Sequence, residues 1–383
     1  YKRQDFGWEP VVLCTHARAY EKTCNDRLSD IPALVRVIRA PAWDAKRHFA
    51  IAGRYPGVLG RPDRWRSWWP GAVVAGMHEI RKHRPDVIWS TFPIATAHSI
   101  AATLARKSGL PWIADFRDPM AQDGYPPDEA TWRKYSQIES ETVYGAKCST
   151  FTTPSAVRLY NERYPDIVDR FALIENGYDE DTFARVDTSG GPLNPGRRTV
   201  LHSGVIYPVE RDPTCIFAAL SKLKASGELA ANPLAIRFRA SSCDELLREL
   251  ASRFQVEEHI EILPSIGHKA AVEEMCRADA LLLAQANNCN AQIPAKFYEY
   301  LRTRVPVITL ADPAGDTAVA AREAGLSAIA ALEDVDAIAN VFRTFLSSPD
   351  NVKCADESAI AAASRVSRTA DLASMLERHV VGG

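Results

Sequence analysis

What the chain lacks narrows its function first. No apolar run reaches the roughly 18 residues that a membrane-crossing helix needs, so no spanning segment is expected. Neither sign of charge is in excess: 46 Lys and Arg stand against 48 Asp and Glu, a formal net charge of −2. That balance leaves no electrostatic footprint for a polyanion, and nucleic acid is not expected as a partner. The eight cysteines, Cys14, Cys24, Cys148, Cys215, Cys243, Cys276, Cys289 and Cys354, include no C-x-x-C pair. Several sit in apolar runs, which suits free thiols in a reducing cytoplasm better than a disulfide framework or a zinc site. The nine histidines show no H-x-x-x-H spacing, and no metal is expected. No G-x-G-x-x-G follows a strand-like run, which disfavours a dinucleotide oxidoreductase. No secretory signal opens the chain. It starts at Tyr1-Lys2-Arg3, just ahead of an apparent strand, and its true beginning is expected to lie upstream.

What is present is a folded α/β pattern. At 383 residues, 46% hydrophobic and 25% charged, the chain is too long for one core and too apolar for disorder, so two domains are expected. Short apolar runs alternate with helical periods. In the first half the strand candidates are 10–15, 33–38, 86–91, 112–116, 150–153 and 172–175, with helices over 71–83, 95–108, 128–146 and 155–163. Runs such as Asp86-Val87-Ile88-Trp89 read as strands covered on both faces, hence as a parallel sheet built from right-handed βαβ units. The turn-rich stretch Asp187–Arg198 breaks the pattern and reads as a linker. Alternation then resumes, with strands over 199–206, 234–239, 260–263, 280–284 and 305–310 and helices over 214–226, 244–254, 269–277, 294–303, 317–324 and 334–346. The tail 357–380 reads as one long helix. The expected architecture is two doubly wound Rossmann-like domains, 1–186 and 199–356, joined by a linker at 187–198 and closed by a helix within 357–383. A ligand is expected between them, at the carboxyl ends of the strands.

Three segments carry chemistry. In Ile293-Pro294-Ala295-Lys296-Phe297-Tyr298-Glu299-Tyr300-Leu301, Pro294 suits a helix start, where its missing N–H costs nothing. The free N–H groups and dipole there form an anion site. Lys296 in that first turn opposes the dipole unless an anion binds. Glu299, a turn further on, suits a vicinal diol such as ribose. The plain alternative is a Lys–Glu pair on an amphipathic helix. The second segment, Leu201 to Pro213, runs from a strand through Gly204, which permits close backbone approach. It also holds Arg211, able to grip phosphate oxygens or merely to pair with Glu210 or Asp212. The third, Ile174-Glu175-Asn176-Gly177-Tyr178-Asp179, reads as a tight Asn-Gly turn that shapes a hinge.

Taken together, these segments resemble the group 1 glycosyltransferases, a retaining family of the GT-B fold. The family's patterns occur in order: Asp115-Phe116-Arg117-Asp118, Asn176-Gly177-x-Asp179, the Gly204 loop with its basic residue, and Ala278-Asp279-Ala280. They continue with Pro294-x-Lys296-x-x-Glu299-Tyr300-Leu301 and Pro306-Val307-Ile308. The tail Ser364-Arg365-Val366-Ser367-Arg368 looks like the family's last helix, which crosses back to the N-terminal domain. The resemblance implies a nucleotide-diphosphate sugar as donor substrate, with no other cofactor and no metal, and transfer with retained anomeric configuration. It implies Glu299 on the ribose, with Gly204, Arg211, Pro294 and Lys296 around the diphosphate. Basic groups and helix N-termini would offset the charge of the leaving diphosphate. The implied acceptor is a glycan or lipid-linked saccharide in cell-surface polysaccharide or glycolipid synthesis. Asp115, Asp118, Arg211 and Lys296 are the candidate catalytic residues, a carboxylate orienting or deprotonating the acceptor hydroxyl. Two departures stand out. Ala291 occupies a position where many members carry Glu, so Asn290 or Gln292 is expected to hold the donor sugar. The family's first strand and Gly-rich loop have no counterpart ahead of Phe6-Gly7-Trp8. A nucleotide-sugar epimerase of the same fold and an inactive nucleotide-sugar-binding homologue remain as alternative readings.

Other patterns read more plainly. Asp179-Glu180-Asp181 and Asp334-Val335-Asp336 fit Asp-x-Asp, yet one lies at the hinge and the other at a helix start that an Asp would cap. Arg61 to Trp69 sets basic residues beside Trp65, Trp68 and Trp69. That mixture suits a membrane interface, an acceptor surface for sugar rings, or simple packing. The location expected is the cytoplasm, or its periphery at the inner face of the membrane.

Overall fold

The computed structural model describes residues 6–21, 23, 31–32, 35–49 and 57–380. They form two compact units, Tyr1–Glu175 with Thr369–Gly383, and Asn176–Arg368.

Unit 1 holds β1 (Val11–Thr15), β2 (Arg36–Ala40), β3 (Ile88–Thr91), β4 (Trp112–Arg117), β5 (Cys148–Phe151) and β6 (Phe171–Leu173). Its helices are α1 (Ala45–His48), α2 (Trp68–His83), α3 (Ala95–Ser108), α4 (Glu129–Gly145) and α5 (Pro154–Arg163). Every strand pair is parallel, but the sheet comes in two pieces, β1-β2 and β3-β4-β5-β6. Between them lies an apolar pocket of about 400 Å³ lined by Val12, Leu13, Ile88, Trp89 and Ile100, among others. β3 borders this pocket and is only half buried, not covered on both faces as its apolar run suggests. The remaining core is aromatic, with Phe116 stacked on Phe151 and Tyr160 tilted against both, in one cluster with Trp112. Local chemistry sets the boundaries. Thr153 caps α5 through its side chain and Pro154 follows at the first helical position, so β5 stops at Phe151 rather than running to Thr153. β4 runs on to Arg117, so Asp115 and Arg117 lie within the strand rather than after it. Residues 33–34 of the expected second strand lie outside the described residues.

Unit 2 holds β7 (Arg198–Ser203), β8 (Leu234–Arg239), β9 (Ile260–Leu263), β10 (Ala280–Gln285), β11 (Val307–Ala311) and the short β12 (Ile329–Ala330). They form one parallel sheet in the order β12-β11-β10-β7-β8-β9, the doubly wound arrangement. Its helices are α6 (Glu180–Phe183), α7 (Thr214–Ala225), α8 (Glu228–Ala231), α9 (Asp244–Arg253), α10 (His268–Cys276), α11 (Ala295–Thr303), α12 (Asp316–Glu323), α13 (Val335–Ser347) and α14 (Glu357–Ala362). One face packs Ile216, Phe217, Leu220 and Leu223 of α7 against Ile338, Phe342 and Phe345 of α13. The other carries Phe297, Tyr300 and Leu301 of α11. Burial of each such side chain contributes about 1.5–3 kcal/mol, and full cover of β10 and β11 explains their unbroken apolar runs.

The chain passes between the units at Glu175–Asn176 and Arg368–Thr369. The turn-rich stretch 187–198, read as a linker, lies inside unit 2, where Asn194 and Arg197 both donate to Glu261. The tail is not one helix. It breaks after α14, where Tyr178 donates its N–H to the Ala363 carbonyl and accepts from the Arg365 N–H. α15 (Arg365–Val380) then begins in unit 2 and ends in unit 1, where Leu372, Met375 and Leu376 pack on Ile113 and Cys148. Gly177 has its explanation here. A β-carbon on it would meet the Ala363 carbonyl at 2.7 Å. The residue is therefore needed for close approach of the tail, and not for a left-handed turn, since its φ is not positive.

Candidate functional site

In a doubly wound sheet the strand order reverses at one point, and the loops leaving the carboxyl ends there diverge into a crevice. In unit 2 that point lies between β7 and β10. The two strands pair only at Val200–Ala280 and Leu201–Leu281. The loop after β7 carries Gly204 and Arg211, and the loop after β10 carries Asn290 and Gln292 and runs into α11. The Glu210 carbonyl accepts from the Ala286 N–H at 2.8 Å, tying the two loops together.

Four of the expected donor residues meet here. Pro294 is the residue just ahead of α11, one position earlier than expected, and its carbonyl accepts from the Phe297 N–H at 2.9 Å. Lys296 in the first turn lies against Gly204: a β-carbon on that glycine, whose φ is +124°, would stand 1.7 Å from the Lys296 Nζ. Burial pulls the Lys296 ammonium down to about 8; Glu299 opposes that shift and Arg211 adds to it. Among the described residues no hydrogen bond or ion pair engages that ammonium or the Glu299 carboxylate. The Lys–Glu surface pair is therefore not what the helix displays. Arg211 pairs with neither Glu210 nor Asp212. It donates to the Val205 carbonyl at 2.9 Å and lies 5.2 Å from the Tyr207 ring centroid, while Asp212 caps the start of α7 through Thr214. A basic pair with one unengaged ammonium, at a glycine-lined helix start, has the charge and the free space to receive an anion.

Of the sugar-end candidates, Asn290 has its side chain engaged, while Gln292 is held through its backbone only. The Asn290 side chain donates to Asp312 at 2.5 Å and its carbonyl accepts from Asp316 N–H. Gln292 offers its carbonyl to the Thr317 hydroxyl at 2.9 Å. Both brace the β10–α11 loop. Two further residues lie at the centre, His202 and Tyr300, neither of them expected there from the sequence. His202 is buried at the end of β7. Burial, reinforced by Lys296, lowers its pKa to about 3, so the ring is neutral. A pocket of about 540 Å³ opens beside the loops after β8 and β9, lined by Ala240, Ser242, Asp244, Arg248 and Ser265. Ala240 and Ser242 both hold positive φ there. Nothing in the sequence pattern singles out these two residues.

Asp115 and Asp118 belong to unit 1, and the four donor residues to unit 2. Both carboxylate oxygens of Asp115 accept from hydroxyls, Oδ2 from Thr91 at 2.9 Å and Oδ1 from Thr150 at 3.1 Å. Asp118 follows β4 in a tight turn in which its N–H meets the Phe116 carbonyl at 2.6 Å. Burial raises its carboxyl pKa against the opposing charge of Arg117. Arg117 holds a φ of 55°, and its carbonyl accepts from Thr152 at 2.6 Å.

Within the tryptophan cluster, Trp65 and Trp68 are 5% and 9% exposed, Trp65 against the Tyr20 ring and Trp68 in the core with Ala72 and Leu104. Trp69 shows part of its indole to solvent. Asp179 and Asp334 each cap a helix through the side chain. The seven described cysteines are free thiols, and no helix among the described residues is long and apolar enough to cross a membrane.

Residues 2–177 match the family described as a glycosyl transferase 4-like domain. No curated protein matches the chain. Solved structures similar to it include a sucrose-phosphate synthase from Thermosynechococcus elongatus, 12% identical, with a TM-score of 0.69 over 100% of this chain and 92% of that one. HepE of Anabaena, in complex with UDP-glucose, is 12% identical with a TM-score of 0.62 over 97% and 100%. A UDP-forming trehalose-phosphate synthase from Burkholderia xenovorans is 11% identical with a TM-score of 0.66 over 97% and 98%.

Proposed function

The chain has the GT-B fold with a glycosyl transferase 4-like domain over residues 2–177, and from that premise we propose that it transfers a sugar from a nucleotide-diphosphate sugar to a glycan or lipid-linked acceptor. The observation that carries this reading is the Lys296 ammonium, which makes no hydrogen bond or ion pair among the described residues, in the first turn of α11, against Gly204 and beside Arg211. A diphosphate supplies the missing charge. Glu299, one turn further along α11, then accepts from the ribose hydroxyls. The pocket at Ser242 and Arg248 takes the base; it is linked to the diphosphate loop by the Ile206 N–H donating to the Ser241 carbonyl at 2.9 Å.

In this reading Lys296 and Arg211 stabilise the charge that grows on the leaving diphosphate, and no bound metal or further cofactor is required. Asp118 takes or orients the acceptor proton, its raised pKa suiting a general base. Transfer retains the anomeric configuration, as the sequence resemblance implies. With the Asn290 side chain tied to Asp312, Gln292 is the one of the two whose side chain is left to hold the donor sugar. A thermal-shift panel of UDP, GDP, ADP and dTDP tests the proposal. A ligand at 100 times its Kd stabilises unit 2 by about 2.7 kcal/mol, and Lys296→Ala and Glu299→Ala each reduce the shift. No shift with any of the four, or shifts in both variants as large as in wild type, would overturn it.

A further inference from the structure

The parallel pairing of β7 with β10 ends abruptly, and the place where it ends is specific. With Val200 opposite Ala280 and Leu201 opposite Leu281, the next rung of the ladder would join the Ser203 N–H to the Leu282 carbonyl. Neither group makes that bond. The Ser203 N–H donates instead to the Tyr300 hydroxyl oxygen at 3.1 Å, and the Leu282 carbonyl pairs with His202 Nδ1 at 3.0 Å. A carbonyl only accepts, so Nδ1 carries the proton. The two side chains reach the broken rung from opposite faces of the sheet. His202 lies on the face with Val200 and 6.1 Å from the Phe238 ring. Tyr300 lies in the other core, on α11, next to Leu201. Both are essentially buried.

We propose that His202 and Tyr300 are positioning residues that replace one rung of the β7–β10 ladder and so hold open the crevice in which the nucleotide diphosphate sits. Without them the cheapest way to satisfy two buried backbone groups is to pair them, because an unmade buried hydrogen bond costs about 1–3 kcal/mol. Pairing would draw β10 toward β7 beyond Leu281 and move the Gly204 loop. Tyr300 also ties that loop to α11, since its chain neighbour Glu299 and Lys296 one turn earlier belong to the same helix. The rung replacement rests on the donor-site reading given above for its functional consequence, but not for its geometry.

The experiment has two arms on the intact chain. Hydrogen exchange of the amides over residues 201–206 reads the geometry without any ligand. Tyr300→Phe keeps the ring and removes the acceptor. His202→Leu removes the donor, and His202→Gln restores an N–H that can reach the Leu282 carbonyl. Changed exchange confined to this stretch in Tyr300→Phe and His202→Leu, with His202→Gln near wild type, is expected; unchanged exchange in both would overturn the inference whether or not a nucleotide binds. The second arm measures Kd for whichever of UDP, GDP, ADP and dTDP the wild type binds. Tyr300→Phe and His202→Leu should weaken binding about tenfold, while the distant core variant Phe342→Leu loses stability without losing affinity. Equal affinity in all variants would remove the crevice-holding role. If the wild type binds none of the four, the donor-site reading fails and the exchange arm alone decides the rung.

Discussion

Gly204 and Lys296 share one space: a β-carbon on Gly204 would stand 1.7 Å from the Lys296 Nζ and 2.5 Å from Cε. The lysine tip would have to leave the place it holds in the site, and the glycine φ of +124° is one that side-chain-bearing residues avoid. Gly204→Ala is therefore expected to destabilise unit 2 by roughly 1–3 kcal/mol and to cut nucleotide affinity at least tenfold. Adding Lys296→Ala removes the atoms in the way, so the double variant should be more stable than the sum of the single changes predicts. Urea unfolding of the four proteins reads the coupling; strictly additive losses would mean that the lysine does not occupy that space.

The same lysine sets a pH dependence for binding. Its pKa of about 8 comes first from burial. The ammonium therefore loses its proton as pH rises through 8, and diphosphate affinity should fall there. Stability moves the other way. The unfolded lysine titrates near 10.5, so between about 8 and 10.5 the unfolded chain binds more protons and folding stability rises with pH. Titration calorimetry from pH 6.5 to 9.5 should show affinity falling across the upper half of the range in wild type and flat in Lys296→Ala.

Two neutral histidines make both units acid-sensitive. His98 in unit 1 and His202 in unit 2 are each lowered to about 3 by burial. Their unfolded forms titrate near 6.5. Between those values the unfolded chain binds more protons, so stability is full above about 6.5 and lost as pH falls toward 3. Ser90 bridges His98 Nδ1 at 2.7 Å and Trp112 at 2.8 Å, so protonating His98 also disturbs the aromatic core of unit 1. His98→Gln should flatten the acid loss in the exchange rates of unit 1 and leave that of unit 2 in place.

Gly177→Ala tests the seam in the tail. The added methyl would meet the Ala363 carbonyl at 2.7 Å and the Arg365 N–H nitrogen at 3.2 Å, both backbone atoms that cannot swing aside. The bridge between Tyr178 and Ser364 should open, with a loss of about 1–3 kcal/mol and faster amide exchange over residues 363–368. Retained protection there would show that the tail can shift without cost.

Much of this fold was legible because period and composition state it directly. β8 and β9 appear where their apolar runs end, and α3 stops at Gly109, whose φ of 75° only glycine adopts easily. Elements whose signal is tertiary were not legible. β12 has two residues and no period of its own. The break between α14 and α15 depends on Tyr178, nearly two hundred residues away in sequence. Whether Trp65 and Trp68 meet a membrane, a sugar or their own core stayed open, because burial cannot be read from residue type. In the site, Lys296 and Glu299 were visible from helix spacing, and Gly204 from strand-turn grammar. The engagement of Asn290 by Asp312 was not, and neither was the broken rung at Ser203, since both depend on which loops meet at the switch point.

Asp115 and Asp118 stood together as catalytic candidates, and the structure gives them different burdens. Asp115 has each oxygen held by a threonine of a neighbouring strand, Thr91 on β3 and Thr150 on β5, so its charge ties three adjacent strands together. Removing it leaves two strands without their cross-link and should cost stability first. Asp118 sits in the turn after the strand with a pKa raised by burial, the condition under which a carboxylate gains basicity. Asp118→Asn, similar in size and still polar, should therefore lower kcat by about a hundredfold or more with nucleotide Kd unchanged and little loss of stability. Asp115→Asn should show the reverse balance, a lower unfolding midpoint with a smaller loss of kcat. Measuring kcat, Kd and urea midpoints for both variants separates the roles. A stable Asp118→Asn enzyme of normal rate would return the task to Asp115 or take it from this strand altogether.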